Sequence, residues 1–341
     1  MSPSFHAQEI SQAAMLSDLP FTELYIRVDD PTFGSRYKPD VTRTGRATLI
    51  SANLAVPDKY SDPISEIRMQ LLPFIGDKEI GVIMYRDLRL RYTISEAADG
   101  EIWAALRPIP LIVPTPDELL IHPSLVEAVM MEARKKGLIL IGGKTGQGKT
   151  TTAASFLRNF CVQMGGTLFT MEDPVEYMLS GALSEHSWCF QHEIHRESDW
   201  EKIDKKAKRF NPDWMFFGEI RSMEAAEQLI AAAGRGQLVV ATIHSSSIAD
   251  TVNSLLQYLK PEMRESARRS LASNVRMVIH QTMTPRGPFI EQVTMTNEVT
   301  DPVRSALEEG NLQNLANSLK KYQPARLPEE QQRQQQGQVR R

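Results

Sequence analysis

Gly143, Gly148, Lys149 and Thr150 stand at the spacing G-x-x-x-x-G-K-[ST] within GGKTGQGKTTT (142–152). That pattern is the phosphate-binding loop. Its glycines let the backbone turn N–H groups inward around a polyphosphate. Nucleotide contacts are therefore expected from Gly143, Lys144, Thr145, Gly146, Gln147, Gly148, Lys149, Thr150 and Thr151. Lys149 is expected to reach the β- and γ-phosphates, and the Thr150 hydroxyl to hold Mg²⁺. The cofactors implied are ATP and Mg²⁺. A plain glycine-rich turn is the alternative, but the full pattern lies between a strand-like and a helix-like run.

Binding is not hydrolysis, which needs an acid to orient water and metal. Three apolar runs end in candidates. LFTMEDPVEY (168–177) supplies Glu172, followed by Asp173 and Glu176. Carboxylates clustered near a phosphate site repel each other unless a cation lies between them; otherwise this is a solvated acidic turn. WMFFGEIR (214–221) supplies Glu219, where an acid can meet Mg²⁺ through water. The usual pattern has Asp directly after the apolar run, whereas here Gly218 intervenes. Asp213 precedes the run and reads as structural, and Arg221 is expected to pair with one of the carboxylates. LVVATIHSSS (238–247) supplies His244, an imidazole that could touch the γ-phosphate or the attacking water. A lone histidine is otherwise a satisfied structural residue. His192 and His195 in QHEIHRES lack the H-E-x-x-H spacing and a third ligand, so zinc is not expected.

These groups need rigid elements behind them. GLILI (137–141) reads as a buried strand, and 149–164 reads as a helix with apolar residues near helical spacing. PSLVEAVMMEARKKG reads as a helix that Gly137 stops. TLFTM, WMFF and LVVATI are further strands, with helices such as MEAAEQLIAAAG between them. Alternation of this kind predicts an α/β domain over 125–300, a parallel sheet covered on both faces. Residues 1–107 mix short strand-like runs (ELYIRV, RATLISANL, EIGVIMYRDLRLRYTI, EIWAALR), the pattern of a small α+β domain. Five prolines within 107–124 predict a semi-rigid linker over 108–124. The polar, low-complexity stretch 323–341 predicts a disordered tail.

Bulk numbers narrow the partners. At 341 residues the chain has room for about two domains. A formal net charge of −3 argues against direct nucleic-acid binding, which needs a basic footprint. Two cysteines, Cys161 and Cys189, form no disulfide framework and fit a reducing cytoplasm. No run approaches the roughly 18 apolar residues of a membrane span, and no signal peptide is expected.

In order, the chain carries GKTGQGKTTT, MEDPVEY, NPDWMFFGEIRSMEAAEQLIAAAGRGQLVVATIHSSS and RRSLASNVRMVIHQTM. These resemble the Walker A, Asp, Walker B and His boxes of the type II/type IV secretion ATPases, over roughly residues 105–310. The resemblance implies a RecA-like P-loop domain preceded by a PAS-like domain, assembled as a homo-hexameric ring. It implies a C-terminal helical segment over 301–322, and ATP between the two domains. Arginines of the first domain would reach the nucleotide: Arg89 and Arg91 in YRDLRLRY, and Arg107 in LRPIP as a catalytic finger. The retraction motors of that family usually have His where this chain has Gln237, which leans the resemblance toward the DotB/TraJ type of type IVB secretion and conjugation. The implied function is an ATPase motor powering a type IV secretion, conjugation or type IV pilus machine. Its implied partners are inner-membrane components, placing it in the cytoplasm at the membrane periphery. The alternative is another RecA-like motor that handles DNA, such as a helicase.

Overall fold

The computed structural model describes residues 15–32, 34–40, 52–77, 79–110, 112–296 and 301–325. They fall into two compact units, 1–111 and 112–340.

The first unit is one antiparallel sheet with a helix. Its strands are β1 (Phe21–Arg27), β2 (Arg36–Pro39), β3 (Leu54–Ala55), β4 (Ile80–Tyr85), β5 (Leu88–Glu96) and β6 (Ile102–Ile109). Their spatial order is β3-β2-β1-β6-β5-β4. Alternation along each strand buries one face, as expected for an antiparallel sheet packed on one side. Leu24, Ile26, Leu90, Tyr92 and Leu106 share that core with Ile64, Ile67 and Leu71 of helix α1 (Ser61–Leu71). The opposite face carries Arg89 and Arg91, with Arg107 across from Arg91 in the register. RATLISANL lies mostly outside the described residues.

The second unit opens with helix α2 (Pro123–Glu132) and builds a nine-stranded sheet. Its strands are β7 (Gly137–Gly143), β8 (Gly166–Glu172), β9 (Gly181–Ser184), β10 (Ser187–Glu193), β11 (Trp214–Ile220), β12 (Leu238–His244), β13 (Val275–Thr284), β14 (Gly287–Thr294) and β15 (Lys320–Tyr322). The order is β15-β14-β13-β7-β12-β11-β8-β10-β9. All seven residues of β7 are buried, as a central parallel strand covered on both sides requires. One face is covered by α2 and α3 (Lys149–Met164), through Leu125, Val129, Phe156, Leu157 and Phe160. The other is covered by α4 (Glu197–Phe210), α5 (Met223–Ala233), α6 (Ile248–Gln257), α7 (Arg264–Asn274) and α8 (Pro302–Glu309). The fold class is α/β, a P-loop domain preceded by a small α+β unit.

Several boundaries differ from the sequence reading. The sheet is parallel only from β13 through β10, and β9, β14 and β15 pair antiparallel. The short turn joining β13 to β14 can connect only antiparallel strands. Helix α2 ends at Glu132, and Gly137 opens β7 instead of stopping the helix. Gly137 has φ +130°, and a Cβ there would lie 2.3 Å from the Asn274 carbonyl oxygen, so close backbone packing demands glycine. Strand β11 runs on through Gly218 and Glu219, with a bulge between Phe217 and Glu219 opposite β12. Pro108 and Ile109 belong to β6, whereas Val113 and Ile121 are buried in the second unit. The segment 301–322 is helical through α8 and a 3₁₀ stretch, then ends in β15. Of the expected tail, 326–341 lie outside the described residues, and the Ala325 amide donates to the Leu120 carbonyl at 2.8 Å.

Candidate functional site

The phosphate loop leaves β7 at the carboxyl end of the sheet, where open α/β sheets bind their ligands. Gly143, Gly146 and Gly148 have φ +154°, +77° and +75°. A Cβ on Gly143 would lie 2.6 Å from the Gln281 carbonyl oxygen, so the loop seats on β13 only without a side chain there. One residue earlier, a Cβ on Gly142 would lie 2.1 Å from Thr251 Oγ1 and 2.3 Å from Ser245 Oγ. Space beside Gly146 is open, and Lys144, Thr145 and Gly146 are exposed. Helix α3 starts at Lys149, directing its N-terminal dipole into the loop.

Lys149 is buried at that helix start. Its Nζ donates to the Lys144 carbonyl at 3.1 Å and lies 3.6 Å from Glu219 Oε1. Burial lowers its pKa, and the nearby Glu219 carboxylate opposes that shift. A buried ammonium held by one carbonyl and one distant carboxylate suits an incoming anion. Thr150 is half-buried in the first turn of α3, and the Thr151 hydroxyl lies 3.0 Å from the Tyr177 hydroxyl. The loop glycines, Lys149 and Thr150 thus lie together, and their chemistry fits a Mg²⁺-bound polyphosphate.

Three strand ends bring in the acids and the histidine. The β11 bulge is pinned by the Thr242 hydroxyl, which donates to the Gly218 carbonyl at 3.1 Å. It delivers Glu219 between Lys149 and Arg221, whose Nε is 3.7 Å from Glu219 Oε2. Arg221 also donates to the Asp173 carbonyl and sits 3.5 Å from Asp173 Oδ2. It therefore ties the end of β8 to the end of β11. Glu172 is only 1% exposed, and its Oε1 accepts from Thr170 Oγ1 at 2.7 Å and Gln191 Nε2 at 2.8 Å. Both of these bonds fall on the same carboxylate oxygen and hold the side chain against the sheet. His244 ends β12 beside Gly143 in the register and is exposed.

Gln147 has its side-chain oxygen occupied by the Met283 amide at 2.6 Å. Arg107 is exposed and ion-paired to Glu23 at 2.5 Å, and Arg89 and Arg91 are half-buried on β5. Glu23 itself is pushed down to about 2, chiefly by the Tyr25 hydroxyl and then by Arg107 and Lys38. Gln237 stands at the opposite end of the sheet, its backbone carbonyl accepting from the Gly137 amide at 3.1 Å. Cys161 and Cys189 are buried, and burial pushes the Cys161 thiol up to about 12. Both are packing residues of the α3 face.

Sequence reasoning passed over β13. Gln281 donates to the Gln147 carbonyl at 2.6 Å and accepts from Thr152 Oγ1 at 2.9 Å, so it braces both the loop and α3. His280, next to it, is buried opposite Gly142 in the register. Both lie within RRSLASNVRMVIHQTM, where an apolar run broken by two polar residues was the available signal.

The family described as Type II/IV secretion system protein matches residues 123–332. The type IV pilus ATPase PilT of Pseudomonas aeruginosa is 32% identical over 151 residues, covering 43% of this chain and 42% of that protein. Across the first three curated relatives, the match spans 42%, 62% and 52% of their own length. In fold, the chain is similar to the ATPase DotB of Legionella pneumophila (TM-score 0.69, 21% identity, 89% of this chain and 86% of that one). It is also similar to the pilus retraction motor PilT with bound ADP (TM-score 0.66, 22% identity, 88% and 86%).

Proposed function

Because the chain belongs to the type II/IV secretion system protein family, we propose that it is an ATPase motor of a secretion or type IV pilus machine. The observation that carries this reading is Lys149, a buried cation at a helix start inside a glycine loop, with Glu219 alone among the described residues as its ion-pair partner. Such a charge is poorly compensated until an anion joins it.

The residues divide the work as follows. Backbone N–H groups of the loop and the N-terminus of α3 hold the phosphates. Lys149 neutralises the terminal ones, and Thr150 with a water-bridged Glu219 is the proposed Mg²⁺ set. A bound Mg²⁺ would supply Lewis-acid stabilisation of the charge on the phosphates. Glu219 orients and polarises the attacking water, and Glu172, fixed by Thr170 and Gln191, is the second carboxylate. His244 is exposed beside the loop and is the proposed group that senses the terminal phosphate. Arg89, Arg91 and Arg107 form one basic face of the first unit and are the proposed source of further positive charge in the working assembly.

That assembly is proposed to be a homo-hexamer docked on inner-membrane components of a type IV secretion, conjugation or pilus machine. No helix among the described residues is long and apolar enough to cross a membrane, so attachment would run through those partners.

The test is turnover by the purified chain with Mg²⁺-ATP, alongside Lys149→Ala. Measurable phosphate release that disappears in the variant is expected. Equal release by both proteins would remove the reading.

A further inference from the structure

Strand β8 ends at Glu172, and residues 173–180 lead from it into β9. One side chain of the neighbouring strand holds both the carboxylate and that segment. Gln191 of β10 stands opposite Thr170 in the parallel register. Its Nε2 donates to Glu172 Oε1 and to the Tyr177 carbonyl, each at 2.8 Å. Its Oε1 accepts from the Leu179 and Ser180 amides at 2.9 Å and 3.1 Å. A primary amide has two donor hydrogens and two acceptor lone pairs, so every one of them is engaged. The same segment is tied to the phosphate-binding helix, because the Tyr177 hydroxyl lies 3.0 Å from the Thr151 hydroxyl, one residue past Thr150.

Glu172 also packs beside the other acid of the site. A Cβ on Gly218 would lie 3.1 Å from Glu172 Cα and 3.3 Å from its Cβ, so the start of this side chain rests on β11 one residue before Glu219. Anchoring the segment needs only the Tyr177 carbonyl and the two amides. The remaining donor of Gln191 is directed at Glu172 Oε1, where Thr170 Oγ1 also donates at 2.7 Å. Two donors converging on one oxygen from fixed strands restrict how the carboxylate can turn, and a working group held in this way is preorganised. Glutamate at 191 would have no donor when ionised, and asparagine would be one methylene too short to span Glu172 and Leu179 together.

We propose that Gln191 is a positioning residue for hydrolysis. It fixes the orientation of the Glu172 carboxylate and, through the Tyr177–Thr151 contact, keeps it in step with the helix that carries Lys149 and Thr150. It touches neither nucleotide nor metal and acts on turnover through Glu172.

This rests on the ATPase reading. The test uses the full chain with Mg²⁺-ATP, comparing wild type, Gln191→Met, Glu172→Gln and the double variant. Hydrolysis is followed in single-turnover incubations long enough to register residual rates, and affinity is measured with a non-hydrolysable ATP analogue. Gln191→Met is expected to slow hydrolysis roughly tenfold to a hundredfold, the scale of a displaced working group. Its affinity for the analogue should stay within about threefold of wild type, since Lys149 and the loop are untouched. In the Glu172→Gln background the same change should cost less than about twofold, because residues that act in series do not add. If Gln191→Met fails to fold, Gln191→Asn replaces it and should show the same dependence on Glu172. Rate losses that multiply in the double variant, or rate and affinity falling together in Gln191→Met, would make Gln191 a brace for the fold and overturn its role. Wild-type hydrolysis by Glu172→Gln would overturn it too, and both results leave the ATPase reading standing. Absence of hydrolysis by the wild type would overturn both.

Discussion

Glu219 is the residue at which the proposed roles in binding and hydrolysis can be told apart. It faces Lys149 at 3.6 Å and Arg221 at 3.7 Å, so its charge offsets both cations. Glu219→Gln keeps the shape and removes the charge. ATP affinity is expected to stay within a few-fold of wild type, because Lys149 and the loop amides remain. Turnover is expected to fall by about 10²–10⁴, the usual contribution of a positioned acid or base. Equilibrium binding and steady-state release on the same preparation check both halves. Loss of affinity as deep as in Lys149→Ala would make Glu219 a binding group instead. Glu172 contrasts with it, since two hydrogen bonds and near-complete burial commit it to the sheet.

At the scale of elements, the loop is shaped by the strand beside it as much as by its own glycines. β13 closes on β7 in parallel register and places Gln281 where it reaches Gln147 and Thr152 together. Gln281→Leu has similar bulk but leaves the buried Thr152 hydroxyl and the Gln147 carbonyl without that partner. An unsatisfied buried polar group costs about 1–3 kcal/mol. Unfolding by denaturant should register that loss, and nucleotide affinity should drop roughly two- to tenfold if about half of it falls on the loop. Unchanged affinity in a destabilised variant would show that the brace serves the fold alone.

Across the whole molecule, the three arginines of the first unit carry the proposed link between nucleotide state and motion. Arg91 and Arg107 face each other across β5 and β6, and Arg89 lies two residues along the same strand face. Arg107 is already paired with Glu23, so a nucleotide must outcompete that carboxylate for it. Neutralising all three is expected to lower turnover by about 10³ or more, in the range of an arginine finger. ADP affinity should change far less, because ADP lacks the phosphate that such groups grip. Sedimentation with ATP and Mg²⁺ should give six copies in the wild type. A monomer at micromolar concentration, or normal hydrolysis by the triple variant, would overturn the ring or the arginine assignment respectively.

The sequence by itself determined the loop, its flanking strand and helix, and the carboxylates at the strand ends. Those features are local: eight positions fix the loop, and α3 spans the same residues, 149–164, that its spacing predicts. Fold class was legible for a similar reason, since fully apolar strands alternating with helices have few ways to bury both faces. What distinguishes one carboxylate from another is not local. Glu172 and Glu219 both follow apolar runs, yet only tertiary structure sends one into hydrogen bonds with Thr170 and Gln191 and brings the other to Lys149. The β11 bulge decides this, and it depends on Thr242 of a neighbouring strand. The same holds for Gln281, more than 130 positions from the Gln147 carbonyl it reaches, because strand pairing joins residues that no sequence spacing relates.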